Sequence, residues 1–407
     1  MRTETETQSF IELEERYSAH NYHPLDVVLT RGEGPYVYDV EGNRYLDCLA
    51  AYSAVNQGHC HPRIVAAMQE QLGRLTLTSR AFRNDRFGPL CEKLTKLCGY
   101  DKALLMNSGA EAVETAIKAA RKWGYERKDI GDGAARIAVF DGNFHGRTST
   151  IVGFSTDASS RKGFGPFAPG FDVYPYGRLD EIREAFGRGA GATTCAVLVE
   201  PIQGEAGVII PPEDFLPGLR ALCDEHRVLL ICDEIQSGLG RAGALFAHSL
   251  AGIRADAVTI GKALSGGVYP VSAFLADDAV MSVFTPGTHG STYGGNPLAC
   301  AAADAALDVL IDEDLIARSR ELGTRALMAL RNAKLAGVRE IRGAGLWIGI
   351  ELEPSAGGAR RYCEELRSRG ILCKETHEHT IRIAPPLVIS TPELDEALAT
   401  FIAVLSA

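Results

Sequence analysis

Four short apolar runs do most to limit the folds open to this chain. They occupy residues 137–140, 196–199, 228–232 and 257–260, and each is followed at once by polar or glycine-rich residues. Apolar runs of that length, bounded in that way, fit strands buried on both faces. Between them lie stretches with helical periodicity, such as residues 215–226. Buried strands alternating with helices predict an α/β layer fold with a mostly parallel sheet.

A chain of 407 residues has room for one large or two medium domains. The pattern changes near Pro297. A long helical stretch is predicted from about 297 to 332, then mixed strands and helices through 341–352 and 380–383. Thr391-Pro392 reads as a cap with proline at the first position of a final helix. The predicted organisation is a large α/β domain over 56–296 and a smaller α+β domain over 297–407. Residues 1–55 are expected to join the small domain and a subunit contact.

Charge and composition exclude several function classes. The net charge of −10 argues against nucleic acid or an anionic membrane as partner, because both require a basic patch. No apolar run is long enough to span a bilayer. The first ten residues are polar and carry two glutamates, unlike a signal or transit peptide, so a cytoplasmic location is expected. Ten cysteines without repeated spacing or a C-x-x-C pair fit reduced thiols. No metal site is expected. His59-Cys60-His61 is too compact for a tetrahedral set and has no partner pair, and His377 and His379 sit in a polar, solvated run. Gly261-Lys262 is not a phosphate-binding P-loop, since Asp256 stands where its first glycine belongs and Ala263 replaces the hydroxyl residue.

In an open α/β sheet, ligands bind beyond the carboxyl ends of the strands. There the sequence puts Glu200, then Asp233 and Glu234, then Lys262 one glycine after its run. A helix start is also marked. Asn107-Ser108-Gly109-Ala110-Glu111 precedes Val113, Ala116, Ile117 and Ala120 on one face, and Ser108 and Glu111 have capping-box spacing. This set suits pyridoxal phosphate. The cofactor needs a lysine amine for its aldehyde, a carboxylate to keep its ring nitrogen protonated, and a helix N-terminus for its phosphate. Glu111 is then expected to point away. A surface lysine and helix-capping acids fit the same spacing, so spacing alone leaves both readings open.

The joint motif decides further. Val199-Glu200-Pro201-Ile202-Gln203-Gly204-Glu205, Asp233-Glu234-Ile235-Gln236 and Gly261-Lys262-Ala263-Leu264-Ser265-Gly266-Gly267 resemble the class III, fold-type I, pyridoxal-phosphate-dependent aminotransferases. The resemblance covers nearly all of the chain after about the first fifteen residues. Within that class the chain is most similar to the ornithine δ-aminotransferases, through His20-Asn21-Tyr22-His23-Pro24 and the stretches 52–59, 76–82 and 289–297.

The resemblance implies roles residue by residue. Lys262 bonds the cofactor aldehyde and later moves the proton. Asp233 pairs with the ring nitrogen, Gln236 with the ring hydroxyl, and Phe144 stacks on the ring. Ser108, Gly109 and Ala110 bind the phosphate. Thr292 reaches the phosphate of a neighbouring subunit, which implies a homodimer with shared sites and leaves higher assembly open. The substrates implied are L-ornithine and 2-oxoglutarate, giving glutamate and a semialdehyde that cyclises to pyrroline-5-carboxylate, within arginine and proline metabolism. Accepting a diamine and then a diacid calls for two guanidinium forks at different depths. Arg147 is implied as the far one and Arg382 as the near one, with Tyr22 at the ornithine α-amino end and Tyr52 in the pocket wall. Glu205 is implied to mask Arg382 for ornithine and release it for the keto acid. The alternatives are an aminotransferase for acetylornithine, 4-aminobutyrate or lysine, an aminomutase or racemase on the same fold, and a non-catalytic binding protein. His145 departs from the animal ornithine enzymes, which have tryptophan there, and matches the acetylornithine enzymes.

Overall fold

The computed structural model describes residues 6–406. Residues 1–5 and 407, the outer ends of the expected N-terminal and C-terminal segments, lie outside the described residues. Seven strands form the central sheet, in the order Lys102–Met106, Ser272–Ala276, Ala257–Ile260, Leu229–Asp233, Thr194–Val199, Arg136–Phe140 and Phe171–Tyr174. The last five pair in parallel, and Ser272–Ala276 runs antiparallel to both of its neighbours. The four apolar runs read from the sequence all lie in this sheet.

Strand alternation divides the core in two. Ala138, Phe140, Val197, Val199, Leu230, Cys232, Val258 and Ile260 pack into one cluster. Their immediate neighbours Ile137, Val139, Ala196, Leu198, Leu229, Ile231 and Ala257 pack into another, as a side-chain period of two requires. Helix Gly109–Arg127 covers the second face with Val113, Ala116, Ile117 and Ala120. Helices Phe215–His226 and Pro297–Asp312 cover the first. With both faces covered, the strands lose the polar-apolar alternation of a half-exposed sheet and read as the apolar runs that identified them.

Two four-stranded sheets complete the fold. Leu29–Glu33, Tyr36–Asp39 and Arg44–Asp47 pair antiparallel, and the last takes Ile371–Leu372 in parallel. Val338–Gly343, Ile348–Leu352, Thr380–Ile383 and Lys374–Thr376 form the other, all antiparallel.

Two local expectations are corrected. The stretch from 297 to 332 is two helices, Pro297–Asp312 and Leu315–Asn332. They part at Asp314, whose φ of 49° is left-handed and cannot continue a right-handed helix. The final helix is capped by Ser390 rather than Thr391. The Ser390 hydroxyl accepts from Glu393 N, and the Glu393 carboxylate returns to Ser390 N at 2.7 Å. That reciprocal pair satisfies two end groups, which draws Thr391 inside the helix.

Candidate active site

The alternation that builds the core also aims the polar groups. Asp233 follows Ile231 by two residues and Glu200 follows Leu198 by two, so both leave the sheet on the face under helix Gly109–Arg127. Thr259 shares that face, and its hydroxyl donates to Asp233 Oδ1 at 3.0 Å. Ile235 N donates to the same oxygen at 3.1 Å, and His145 Nδ1 lies within hydrogen-bond distance of Asp233 Oδ2 at 2.6 Å. Glu234, one residue on, faces the other way. It accepts from Ala247 N, His248 N and the Ser237 hydroxyl, so it anchors a turn and takes no part in the site.

Lys262 opens a single 3-10 turn after Gly261, with a left-handed φ of 43°. Strain of that kind at a non-glycine residue marks a position held by its surroundings, often at a functional site. Burial pushes its amine down to about 8, against the opposing pull of Asp233 and Glu205. Burial likewise pushes the Glu200 carboxyl up to about 7, with the charge of His145 opposing and that of Asp233 adding. Glu200 is tied down by Phe144 N at 2.9 Å.

These groups meet in one recess of about 200 Å³ whose wall includes Lys262, Asp233, Gln236, Phe144, His145 and Ala110. An adjoining recess of about 280 Å³ is bounded by Ser108, Gly109 and Lys262. Gly204 lets the wall close. A Cβ there would overlap both Gln236 and Trp347.

The helix start beside Lys262 suits an anion. Ser108 and Glu111 form the anticipated capping box, and Glu111 accepts from Asn107 N at 2.9 Å and Ser108 N at 2.8 Å. Its carboxylate is thereby folded back on the cap, while the first-turn N–H groups of Gly109 and Ala110 have no intrahelical acceptor. The Ser272 hydroxyl fixes the start over the sheet by donating to Ser108 O at 2.7 Å. An amine, a buried carboxylate and free N–H groups around one recess fit the aldehyde, ring nitrogen and phosphate of pyridoxal phosphate.

An outer cavity of about 500 Å³ leads inward, lined by Arg147, Phe144, Glu205, Thr376 and His377 among others. Arg147 is exposed at its rim, with Cζ 5.6 Å from the centre of the Phe144 ring. Arg382 is buried, donates to Glu205 Oε2 at 2.8 Å, and has the Tyr52 ring 5.1 Å from Cζ. The Thr376 hydroxyl donates to Glu205 O. Tyr52 owes its position to a turn of four left-handed residues, Ala50 to Ser53. Asp47 holds that turn by accepting from Leu49 N at 2.8 Å and Ala50 N at 2.9 Å, and is itself held by His59 at 2.8 Å. His61 goes instead to Glu313.

Two expected site residues, Tyr22 and Thr292, do not line the recesses around Lys262. Tyr22 is 70% exposed and lines a different, apolar recess of about 430 Å³ that it shares with Tyr52. Thr292 is exposed and lines none of these cavities. Conversely, Thr259, Ser272, Thr376 and the pairing of His145 with Asp233 escape a reading by motif. Thr259 alone left a signal, as a polar residue in an apolar strand in step with Asp233.

Comparison with known proteins sets this geometry in context. The family described as Aminotransferase class-III matches residues 17–405. The ornithine aminotransferase of Bordetella pertussis is 58% identical over 394 residues, covering 97% of this chain and 95% of that protein. A structure of the ornithine aminotransferase of Toxoplasma gondii, with partial occupancy of pyridoxal phosphate at its active site, superposes with a TM-score of 0.96. It is 43% identical and covers 99% of this chain and 95% of that one. The structure of an acetylornithine aminotransferase from Elizabethkingia anophelis gives a TM-score of 0.89 at 46% identity, covering 98% and 99%.

Proposed function

The chain belongs to the class-III aminotransferases, pyridoxal-phosphate-dependent enzymes of fold type I, and on that premise we propose that it moves the δ-amino group of L-ornithine to 2-oxoglutarate. The observation that carries this reading is a pair of arginines at two depths. Arg147 stands at the rim, and Arg382 lies buried and paired with Glu205. The ornithine aminotransferases similar to it over nearly the full chain support the same substrate.

The cofactor, when bound, supplies an electrophilic aldehyde and an electron-withdrawing ring. Lys262 would hold its aldehyde. Its amine, depressed to about 8, carries an appreciable neutral fraction at physiological pH and serves to move a proton at the substrate carbon. Asp233 holds a proton at the ring nitrogen, since an opposite charge favours the cationic form. Gln236 and Phe144 bound the ring, and Ser108, Gly109 and Ala110 take the phosphate. Arg147 binds the ornithine carboxylate far from Lys262 and so presents the δ-amine to the centre. Glu205 meanwhile neutralises Arg382. For 2-oxoglutarate, Glu205 swings aside and Arg382 takes the carboxylate nearest the reacting carbon.

The exposure of Thr292 and Tyr22 supports a homodimer in which a second copy completes each site, and Thr292 then reaches the other phosphate. The chain is divided as residues 1–55, 56–296 and 297–407, and it acts in the cytoplasm. Among the described residues no helix is long and apolar enough to cross a membrane.

Two observations favour a second reading. His145 and the likeness to an acetylornithine aminotransferase point to N-acetylornithine as amine donor. The test supplies ornithine, acetylornithine, 4-aminobutyrate and lysine with 2-oxoglutarate and traps pyrroline with an aminobenzaldehyde. Ornithine is expected to react fastest and to give the trapped product. Turnover of acetylornithine with none of ornithine would overturn the assignment.

A further inference from the structure

Glu205 sits in a closed hairpin between Gln203 and Ile209, which exchange backbone hydrogen bonds of 3.1 and 2.9 Å. The hairpin follows strand Thr194–Val199 of the central sheet. Its conformation runs against the preference of one of its residues. Val208 is buried with a left-handed φ of 59°, an outlier for a β-branched residue that persists only where the surroundings hold it. The grip comes from the four-stranded sheet that carries Arg382. The Arg342 Nε–H donates to Gly207 O at 3.0 Å, and the Thr376 hydroxyl donates to Glu205 O. Arg342 is anchored in turn by Glu340 at 2.8 Å and by Glu351. Gly349, paired with Arg342 on the next strand, permits the close approach, since a Cβ there would stand 2.5 Å from Gly207 O.

We propose that Thr376 and Arg342 are positioning residues for the choice of amine: by fixing the Glu205 and Gly207 carbonyls they hold the hairpin main chain against Arg382, so that only the Glu205 side chain moves between the two substrates. This rests on the Glu205 gate proposed above. Thr376 pairs with Thr380, two residues before Arg382 on the adjacent strand, so the Thr376 and Arg382 side chains rise from one face of the sheet. One holds the main chain of Glu205, and the other meets its carboxylate at 2.8 Å. Removing either donor leaves a carbonyl unpaired. The hairpin is then free to relieve its strain at Val208 and to carry Glu205 away from Arg382.

The ratio of δ- to α-transamination of ornithine by the holoenzyme, with 2-oxoglutarate as acceptor, tests this. Thr376→Val nearly keeps the shape and removes the donor, and Thr376→Ser keeps the donor. Thr376→Val is expected to lower the ratio about fivefold without raising the KM for 2-oxoglutarate, and Thr376→Ser to stay near wild type. A general loosening of the sheet would instead displace Arg382 and raise that KM. In a Glu205→Ala background, Thr376→Val is expected to lower the ratio no further, because residues that act through one another are not additive. An unchanged ratio in Thr376→Val, a raised KM, or an equal fall in the Glu205→Ala background would overturn the proposal. Should Thr376→Val not fold, Arg342→Lys is compared in the same two backgrounds, with the same results expected and the same results contradicting, since it keeps a cation for Glu340 and Glu351 but loses the Nε–H to Gly207. A wild-type ratio in Glu205→Ala alone would remove the gate itself, and this inference with it.

Discussion

Glu205 and Arg382 form an ion pair of unequal partners. The distance is 2.8 Å, but the arginine side chain is 3% exposed and the glutamate 38%. The acid lines the outer cavity, whereas Arg382 is buried beside the Tyr52 ring. The proposed gate would open by moving Glu205.

Glu205→Ala should leave Arg382 unpaired and open to the ornithine α-carboxylate. The ratio of δ- to α-transamination is expected to fall about tenfold, equivalent to about 1.4 kcal/mol. The KM for 2-oxoglutarate is expected not to rise. Product analysis of the first half-reaction measures the ratio, and an unchanged ratio would remove the gate from the mechanism.

Lys262 bears a cost of burial. Its folded-state pKa of about 8 lies below the ordinary 10.5, so the native state binds fewer protons than the unfolded one. The resulting penalty is present below about pH 8 and fades as pH rises toward 10.5. Lys262→Met should therefore stabilise the cofactor-free chain at neutral pH by about 1 kcal/mol, discounted because the amine faces a cavity. The same change should abolish transamination and the retention of cofactor after borohydride. Thermal melts of both proteins at pH 7 and at high pH check the sign.

Glu200 carries the opposite linkage. With its carboxyl raised from 4.5 to about 7, the native state keeps a proton that the unfolded state has lost. Its contribution to stability is full below pH 4.5 and is lost as pH rises to about 7. Glu200→Gln should flatten the fall in stability across that window by on the order of 2 kcal/mol. Urea titrations of the cofactor-free chain at several pH values measure it.

Much of this was legible in the sequence because it is local. Residues 257–260 read as a strand and are one, to the residue, and the Ser108–Glu111 cap has a spacing that any chain would show. The rule that ligands bind at strand ends points to Asp233 and Lys262 as candidates, and the joint motif singles them out. What escaped is non-local or contrary to propensity. His145 and Asp233 are 88 residues apart, and only the packing of two strand ends brings them together. The left-handed turn at Ala50 to Ser53 contains no glycine, and Asp47 holds its start by accepting from Leu49 N and Ala50 N. Asp314 breaks a stretch whose apolar periodicity runs on through it. The expected roles of Tyr22 and Thr292 come from likeness to the family, and in the single chain both side chains are exposed.

The central claim is that the δ-amine, not the α-amine, of ornithine meets Lys262. Ornithine labelled with nitrogen-15 at the δ position alone tests it directly. With 2-oxoglutarate as acceptor, glutamate carrying the label and an unlabelled pyrroline are predicted. Unlabelled glutamate, with the label kept in the pyrroline ring, would contradict the account.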